Sequence, residues 1–544
     1  MTLQFRRTAA VVASAFAVAT CTHANVRTPA GASPSSRTPS GAAPPTTARL
    51  EPQPLPFPSI APLNALQRFR SSVDSMVNDA QFSVAHWGIL IFDGERGDTL
   101  YSHNADKLFM PASNQKIITS AVAVTQLGAA YQWRTVVELR GVINAHTFVG
   151  DVVVIGRGDP SWSDAMHGGD ALAAFAPVAD ALVARGISKI EGRIVAEGDA
   201  FSDATTGFGW AFEDFDSAYS SPIDELLFNE GFFTLAARAG QKLASTLSVT
   251  TRPTSDYPKI IVRAVARDRG DTLSGRHPLR IAWDSTGTVV EVTGTLPAGD
   301  SVNVEVPYRH PNDAALAAMT QALRNRGIRV LPPSVVRARR TPKARGGAAI
   351  RAADTLVVLL SSPLSEVLKR VDKPSQNQLA EMLYKTTALE KTGVGTADSA
   401  RTIVQRQLVA WGVAADGIAV RDGSGLSRHD YVAPRTLVRV LDVMRKQPGF
   451  DAFYAALPIA GVDGTIANRM KGTPAAGNVH AKTGTVDKAR SLSGYVTTAD
   501  GHLLVFSLLC NNFTVPTRAV EKVQDAIAVQ LASMRLRDAQ AGKP

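Results

Sequence analysis

The two ends of this chain read as halves of one structure, which limits the possible folds more than any other feature. Near the start, Leu63, Leu66, Phe69, Val73 and Val77 recur at helical spacing within residues 63–80. The apolar run 86–92 ends in Asp93-Gly94 and is followed by Thr99-Leu100-Tyr101, a strand, a turn and a returning strand. Near the other end, residues 489–498 and 502–510 read as paired strands about Ala499-Asp500-Gly501, and 520–534 as a closing helix. Helix–strand–strand mirrored by strand–strand–helix predicts one antiparallel sheet flanked by helices, an α/β (α+β) domain shared by both termini.

Between residues 140 and 353 the texture changes. Short β-rich segments (149–155, 247–251, 259–264, 288–293 and 301–307) alternate with Gly, Asp and Pro turns, and no repeat of fixed period is visible. This predicts a split domain, residues 63–139 and 354–537, interrupted by a mostly β insertion, 140–353. Residues 337–347, rich in Arg, Lys and Gly, read as a surface loop, and 538–544 as a flexible tail.

A length of 544 residues agrees with two or three domains, and 45% hydrophobic with 19% charged residues is the balance of a soluble globular protein. Beyond the N-terminal region no apolar run reaches the ~18 residues a membrane helix needs. Two cysteines exclude a disulfide scaffold and a cysteine-built metal site. A net charge of +10 suits an acidic partner or surface, but five arginines in residues 1–62 face Glu51 alone, so the excess is partly local and gives little support for nucleic acid. Arg6 and Arg7 precede an apolar stretch, 9–19, too short for a permanent span. With Thr22-His23-Ala24 as a cleavage site, residues 1–24 read as an export signal. The competing reading is a lipoprotein with Cys21 as a lipid anchor, for which Thr20 is a poor preceding residue. Ten of the 31 prolines fall in residues 26–62, so 25–62 read as a disordered linker. Cys510, in an apolar strand-like run, reads as a buried small residue.

Several constellations are absent: G-x-S-x-G, H-E-x-x-H and a G-K-[ST] phosphate loop. What remains is Ser113 with Lys116 one helical turn later, after Pro111 and before the apolar helix that ends near Leu127-Gly128. A hydroxyl needs a nearby base to attack, and a partly buried lysine supplies one. The helix N-terminus adds N–H groups for a developing oxyanion. S-x-N occurs at Ser102, Ser301 and Ser375. Ser375-Gln376-Asn377 alone lies in a loop ahead of an amphipathic helix. K-T-G occurs at Lys391 and Lys482. The first closes that helix with Gly393 as cap, whereas Lys482-Thr483-Gly484 opens the terminal strand pair, where an exposed edge could bind a substrate backbone.

Ordered S-x-x-K, S-x-N and K-T-G is the signature of penicillin-recognising serine enzymes and β-lactamases. Over roughly residues 63–535 the chain resembles the D-alanyl-D-alanine carboxypeptidase/endopeptidase family of low-molecular-mass penicillin-binding proteins, the penicillin-binding protein 4 type. The resemblance rests on Pro111-Ala112-Ser113-Asn114-Gln115-Lys116, Gly156-Arg157-Gly158-Asp159-Pro160, Gly209-Trp210, Asp422-Gly423-Ser424-Gly425-Leu426-Ser427-Arg428, Asp463-Gly464-Thr465, His480-Ala481-Lys482-Thr483-Gly484-Thr485 and Ser493-Gly494-Tyr495. The 262 residues from Ser113 to Ser375 leave room for the insertion, which the resemblance implies to be two subdomains leaning over the site.

The resemblance implies a β-lactamase-like transpeptidase fold and a serine peptidase acting on peptidoglycan stem peptides and trapped by β-lactams, with no cofactor or metal. Ser113 would attack, Lys116 accept its proton and Ser375 protonate the leaving amine, with either lysine alone or a serine–lysine pair as the base. Asn377 would bind the substrate amide, Lys482 and Thr483 the terminal carboxylate, and Thr485 N–H the oxyanion with Ser113 N–H. Arg428 matches an arginine for the free carboxylate of the stem's diamino acid, the alternative being a tie to Asp422 or Asp430. Phe201 matches an aromatic contact. Glu197 stands where a family member has aspartate, and Asp487 where it has glutamine. A β-lactamase or esterase, or a wall-binding module without chemistry, are the alternative functions. The missing Y-x-N and the long insertion argue against the first, and the full catalytic set against the second.

Overall fold

The computed structural model describes residues 64–270, 278–331 and 354–537. The expected export signal, Cys21, the proline-rich linker, the 337–347 loop and the tail lie outside the described residues. Both chain ends build one five-stranded antiparallel sheet, in the spatial order His480–Val486, Ala489–Thr497, Leu503–Asn511, His86–Asp93, Asp98–His103. Its middle joins the two ends of the chain, with Trp87 opposite Cys510 and Asp93 opposite Leu504.

The sheet is covered on both faces, so the alternation of its central strands sorts side chains into two cores. Ile89, Ile91, Leu504, Phe506, Leu508 and Cys510 face the helices Ala65–Val77 and Thr517–Ser533, meeting Phe69, Val73, Ile527 and Leu531. Leu90, Val505 and Leu509 face the helix Pro434–Met444 and belong to one cluster with its Leu437, with Ile118 of the helix Gln115–Leu127 and with Leu383 of the helix Asn377–Thr392. Each such side chain, fully buried, contributes about 1.5–3 kcal/mol of hydrophobic stabilisation. Asn64 and Gln67 cap the first helix reciprocally, each side chain accepting the other's backbone N–H. Burial pushes the Cys510 thiol up to about 12, so it is an inert core residue.

The middle of the chain has a core of its own. A sheet of six strands includes Arg134–Asn144, Thr147–Ile155 and Asp354–Leu360, and two three-stranded sheets pack beside it. These sheets are separate, yet their buried side chains form one cluster. Two helices not anticipated from the β-rich texture, Ala176–Ala184 and Pro311–Asn325, fill that cluster; the second buries the alanine-rich run from Ala314 to Ala318. Arg134–Asn144 and Asp354–Leu360 pair with each other, and their Val137, Leu139, Leu356 and Leu359 join the second cluster while Trp133 belongs to the first. We therefore propose that the inserted body runs from 134 to 360, a few residues wider at each end than the expected 140–353.

One stretch of the insertion returns to the first core. Phe201, Trp210, Ile223 and Leu227 pack there, and Glu230, 3% exposed, receives two hydrogen bonds from the Arg370 guanidinium on the helix Leu364–Asp372. That clasp lies five residues before Ser375. Glu230→Ala leaves a half-buried guanidinium unpaired and should cost about 1–3 kcal/mol, with Glu230→Gln costing less. Thermal melts of the two variants against wild type check this.

Candidate active site

The turn that carries Ser113 is a tight piece of backbone. Ala112–Asn114 forms a single 3₁₀ turn ahead of the helix Gln115–Leu127, and Ala112 takes φ +47°, an uncommon conformation for a residue with a Cβ. Two glycines let other segments press on this turn. A Cβ on Gly425 (φ +81°) would lie 1.8 Å from the Ala112 carbonyl oxygen. One on Gly484 would lie 2.5 Å from the Pro111 oxygen and 3.0 Å from the Ser113 nitrogen. The K-T-G strand can therefore run directly alongside the serine.

Lys116 sits at the centre, with no solvent exposure. Its Nζ is 3.1 Å from Ser113 Oγ, 2.5 Å from Asn377 Oδ1 and 2.8 Å from the Ser424 carbonyl oxygen. An ammonium can donate to all three. A neutral amine has two N–H groups for Asn377 and Ser424, and a lone pair left for the serine proton. Burial lowers this lysine to about 8 against the pull of Asp422, Asp372 and Glu381, so the neutral form is within reach near neutral pH.

Lys482 is equally buried and donates to Ser375 Oγ at 2.8 Å and to the Thr483 carbonyl at 3.0 Å. Burial first, then the charge of Lys116, lowers it well below the ordinary lysine range. Asn114 holds the K-T-G strand by donating to the Lys482 carbonyl at 2.8 Å. Ser375 is strained, at φ +68°, just before the helix that Gln376 caps by accepting from Gln378 and Leu379 N–H. Asn377 opens that helix and donates to the Tyr219 carbonyl at 2.8 Å, so the insertion touches the S-x-N element directly.

A ring of buried carboxylates shapes the loop behind Lys116. Glu381 accepts from Gly423 and Ser424 N–H, and burial lifts it to about 7. Asp422 accepts from Trp210 Nε1, Gly425 N–H and Ser427 N–H. Asp430 takes the Arg421 N–H at 2.5 Å and is raised well above the carboxylate range by burial.

These groups open into a cleft of about 950 Å³. Ser113, Ser375, Asn377, Thr483 and Thr485 line one part, and Asp214, Tyr219, Arg428 and Asp487 another. The S-x-x-K, S-x-N and K-T-G elements thus meet, although they come from separate stretches of chain. Lys391-Thr392-Gly393 instead ends the helix Asn377–Thr392, with Gly393 left-handed as its cap. Ser102 lies in the sheet strand Asp98–His103 and Ser301 in a strand of the insertion.

The outer subsite differs from expectation. Phe201 is 2% exposed, packed where Cβ atoms on Gly158 and Gly395 would strike it, with Lys385 Nζ 5.6 Å above its ring. Glu197 ends the strand Ile194–Glu197 and pairs with Arg140. The structure brings neither to the cleft. Arg428 does reach it, and does not tie to Asp422 or Asp430, whose carboxylates are turned to backbone N–H groups. Its guanidinium lies 3.6 Å from Asp214 Oδ2, while Tyr219 donates to Asp214 Oδ1 at 2.6 Å. Sequence reasoning does not single out Asp214 and Tyr219. The available signal is the run of residues 208–219, where aromatic and acidic side chains interleave with no helical or strand period. Among the described residues, the His/Cys/Asp/Glu group placed to hold a metal is Asp93, Glu95 and His502, at turns of the sheet and not in the cleft.

The model of the D-Ala-D-Ala carboxypeptidase 3 (S13) family matches residues 69–534. The chain is 34% identical over 483 residues to a D-alanyl-D-alanine carboxypeptidase of Actinomadura sp. (strain R39), covering 86% of this chain and 85% of that one. It is 27% identical to D-alanyl-D-alanine carboxypeptidase DacB of Haemophilus influenzae, covering 78% and 85%. Its fold is similar to the crystal structure of penicillin binding protein 4 (dacB) from H. influenzae, with a TM-score of 0.70 at 24% identity, covering 85% of this chain and 99% of that one.

If Ser113 is the residue that penicillin acylates, two neighbouring buried lysines predict a bell-shaped pH profile for that reaction. The rate should rise as the pair loses its first proton and fall as it loses the second. Stopped-flow acylation between about pH 5 and 10 checks it, and a flat profile would contradict a base role for Lys116.

Proposed function

The chain belongs to the D-Ala-D-Ala carboxypeptidase 3 (S13) family, and from that membership we propose how its residues divide the work of a serine-type D-Ala-D-Ala carboxypeptidase. The observation that carries the reading is the position of Lys116, bonded at once to the S-x-x-K serine, the S-x-N asparagine and the loop of Ser424.

Ser113 Oγ attacks the carbonyl of the terminal D-Ala-D-Ala bond as its proton passes to the lone pair of Lys116. The oxyanion collects on the N–H groups of Ser113 and Thr485, which the small Gly484 allows to approach one another. Ser375 hands a proton to the leaving amine and is resupplied by Lys482. The terminal carboxylate of the substrate lies against Thr483 and Ser375, with the Lys482 charge directly behind them. Thr465 shares a hydrogen bond of 2.7 Å with Thr483 and so orients that hydroxyl. Asn377 holds the amide of the acylated residue. Water then releases the acyl group, while a β-lactam leaves an ester that water removes slowly.

At the far end of the cleft, Arg428 and Asp214 present a cation and an anion side by side. That pair suits the carboxylate and ammonium of a stem diamino acid, and so favours peptidoglycan stem peptides and their cross-links, the endopeptidase substrate. We also propose that the protein works outside the cytoplasm, at the cell envelope. The support is the sequence pattern of residues 1–24 and the substrate class. Among the described residues no helix is long and apolar enough to cross a membrane.

Ser113→Ala should abolish penicillin labelling and peptidase activity, while Ser424→Ala retains both, since Lys116 bonds the Ser424 backbone carbonyl. Labelling of Ser113→Ala at the wild-type rate would sink the assignment. Lys482→Ala should lower kcat/KM by roughly 10–100-fold, the worth of a charge-assisted contact of about 1.5–3 kcal/mol. Lys391→Ala, at an exposed helix end, should leave it unchanged. Arg428→Ala should weaken peptides carrying a free diamino-acid end and spare simple penicillins; equal losses on both would make Arg428 a loop-holding residue only.

A further inference from the structure

A buried carboxylate that the mechanism above does not use is tied to the helix of Lys116, close enough for its charge to act on both lysines. Asp372 ends the helix Leu364–Asp372 with no solvent exposure. Its Oδ2 accepts from Ser120 Oγ at 2.8 Å, and its Oδ1 accepts no hydrogen bond from any described residue. Ser120 is one helical turn beyond Lys116 on the same helix, so this bond ties the carboxylate to the nucleophile helix. Three residues after Asp372, Ser375 accepts from Lys482; five residues after it, Asn377 accepts from Lys116. One short segment therefore supplies an acceptor to each lysine and a buried negative charge to both.

We propose that Asp372 is the counter-ion of the lysine pair and a positioning residue for acylation: anchored by Ser120, its carboxylate keeps one proton on the pair, so that the two lysines carry a single positive charge when Ser113 attacks. The inference rests on the reading of Ser113 and Lys116 given above.

The other charges nearby do not fill this role. Lys116 also feels Asp422 and Glu381, but these are held by backbone N–H groups of the 421–430 loop. For Lys482, burial and the Lys116 charge both drive the proton off, and Asp372 is the carboxylate that acts in the opposite sense. On the helix of Asp372 itself, Arg370 is taken by Glu230, and the adjoining Lys373 by Asp463 at 2.6 Å and the Leu457 carbonyl. Burial lifts Asp372 to about 6 against the pull of Lys482 and Lys116.

Removing a negative charge lowers the pH at which neighbouring lysines give up protons. Asp372→Asn, which keeps the shape and can accept from Ser120, should move the alkaline limb of penicillin acylation down by about 1 pH unit or more, with a smaller shift of the acid limb in the same direction. A variant that merely loosened the fold would lower the rate at every pH and leave both limbs in place; that result overturns the proposal. Ser120→Ala retains the carboxylate but removes the donor that stabilises it as an anion, and should shift the alkaline limb the same way by less. This arm decides the matter if Asp372→Asn fails to fold, and an unmoved limb there also overturns the proposal. Ser113→Ala separates the two readings. If it still labels, the nucleophile assignment fails; if labelling depends on Ser113 and the limbs do not move, only the role of Asp372 fails.

Discussion

Two lysine side chains without solvent contact, Lys116 and Lys482, make the heaviest physical demand in the molecule, because like charges buried together are tolerated only when acceptors and carboxylates surround them. The surroundings of the cleft can be read as the answer to that demand. Helix Gln115–Leu127 carries one lysine and the edge strand His480–Val486 the other, while the segment from Asp372 to Asn377 supplies partners to both. The loop 421–430 is folded around its own carboxylates so that the Ser424 carbonyl points at Lys116. Strained backbone at Ala112 and Ser375, beside Ser113 and Lys482, persists because packing on all sides over-determines it.

Much of the peptidase body is legible in the sequence, for a physical reason. Central strands and amphipathic helices carry strict periods, and Leu504 to Cys510 alternate between two cores as a period of two requires. Pattern alone therefore suffices to place the mirrored ends in one sheet. The insertion is less legible. Its strands stand out, but the helix Pro311–Asn325 does not, because an alanine-rich helix buried on most sides lacks the one-sided stripe that marks a surface helix. The boundary strands read as belonging to the peptidase body because pattern reveals a strand without revealing which partner it pairs with.

The site divides in the same way. Ser113 and Lys116 are one helical turn apart, so their contact is a local property that sequence spacing carries. The choice of Ser375 and of Lys482 rests on loop and strand context, and the structure places those copies in the cleft while Ser102, Ser301 and Lys391 lie elsewhere. The far end of the cleft is built by residues 208–219, which follow no period, and their positions are set by contacts with distant parts of the chain. Matching Glu197 and Phe201 by residue type therefore points to a strand end and to a core position, whereas Asp214 and Tyr219 face the cleft.

The pairing of His86–Asp93 with Leu503–Asn511 has a consequence for how the protein comes into being. Loop-closure entropy must be met before such distant strands gain anything from pairing, whereas the insertion between them has a core of its own. Ser113 and Lys116 are synthesised long before Lys482, and until the K-T-G strand docks no dry pocket exists to depress the lysines. Without the C-terminal strands the cleft would lack Lys482, Thr483 and Thr485, so the site is complete only when both ends of the chain are joined in one sheet.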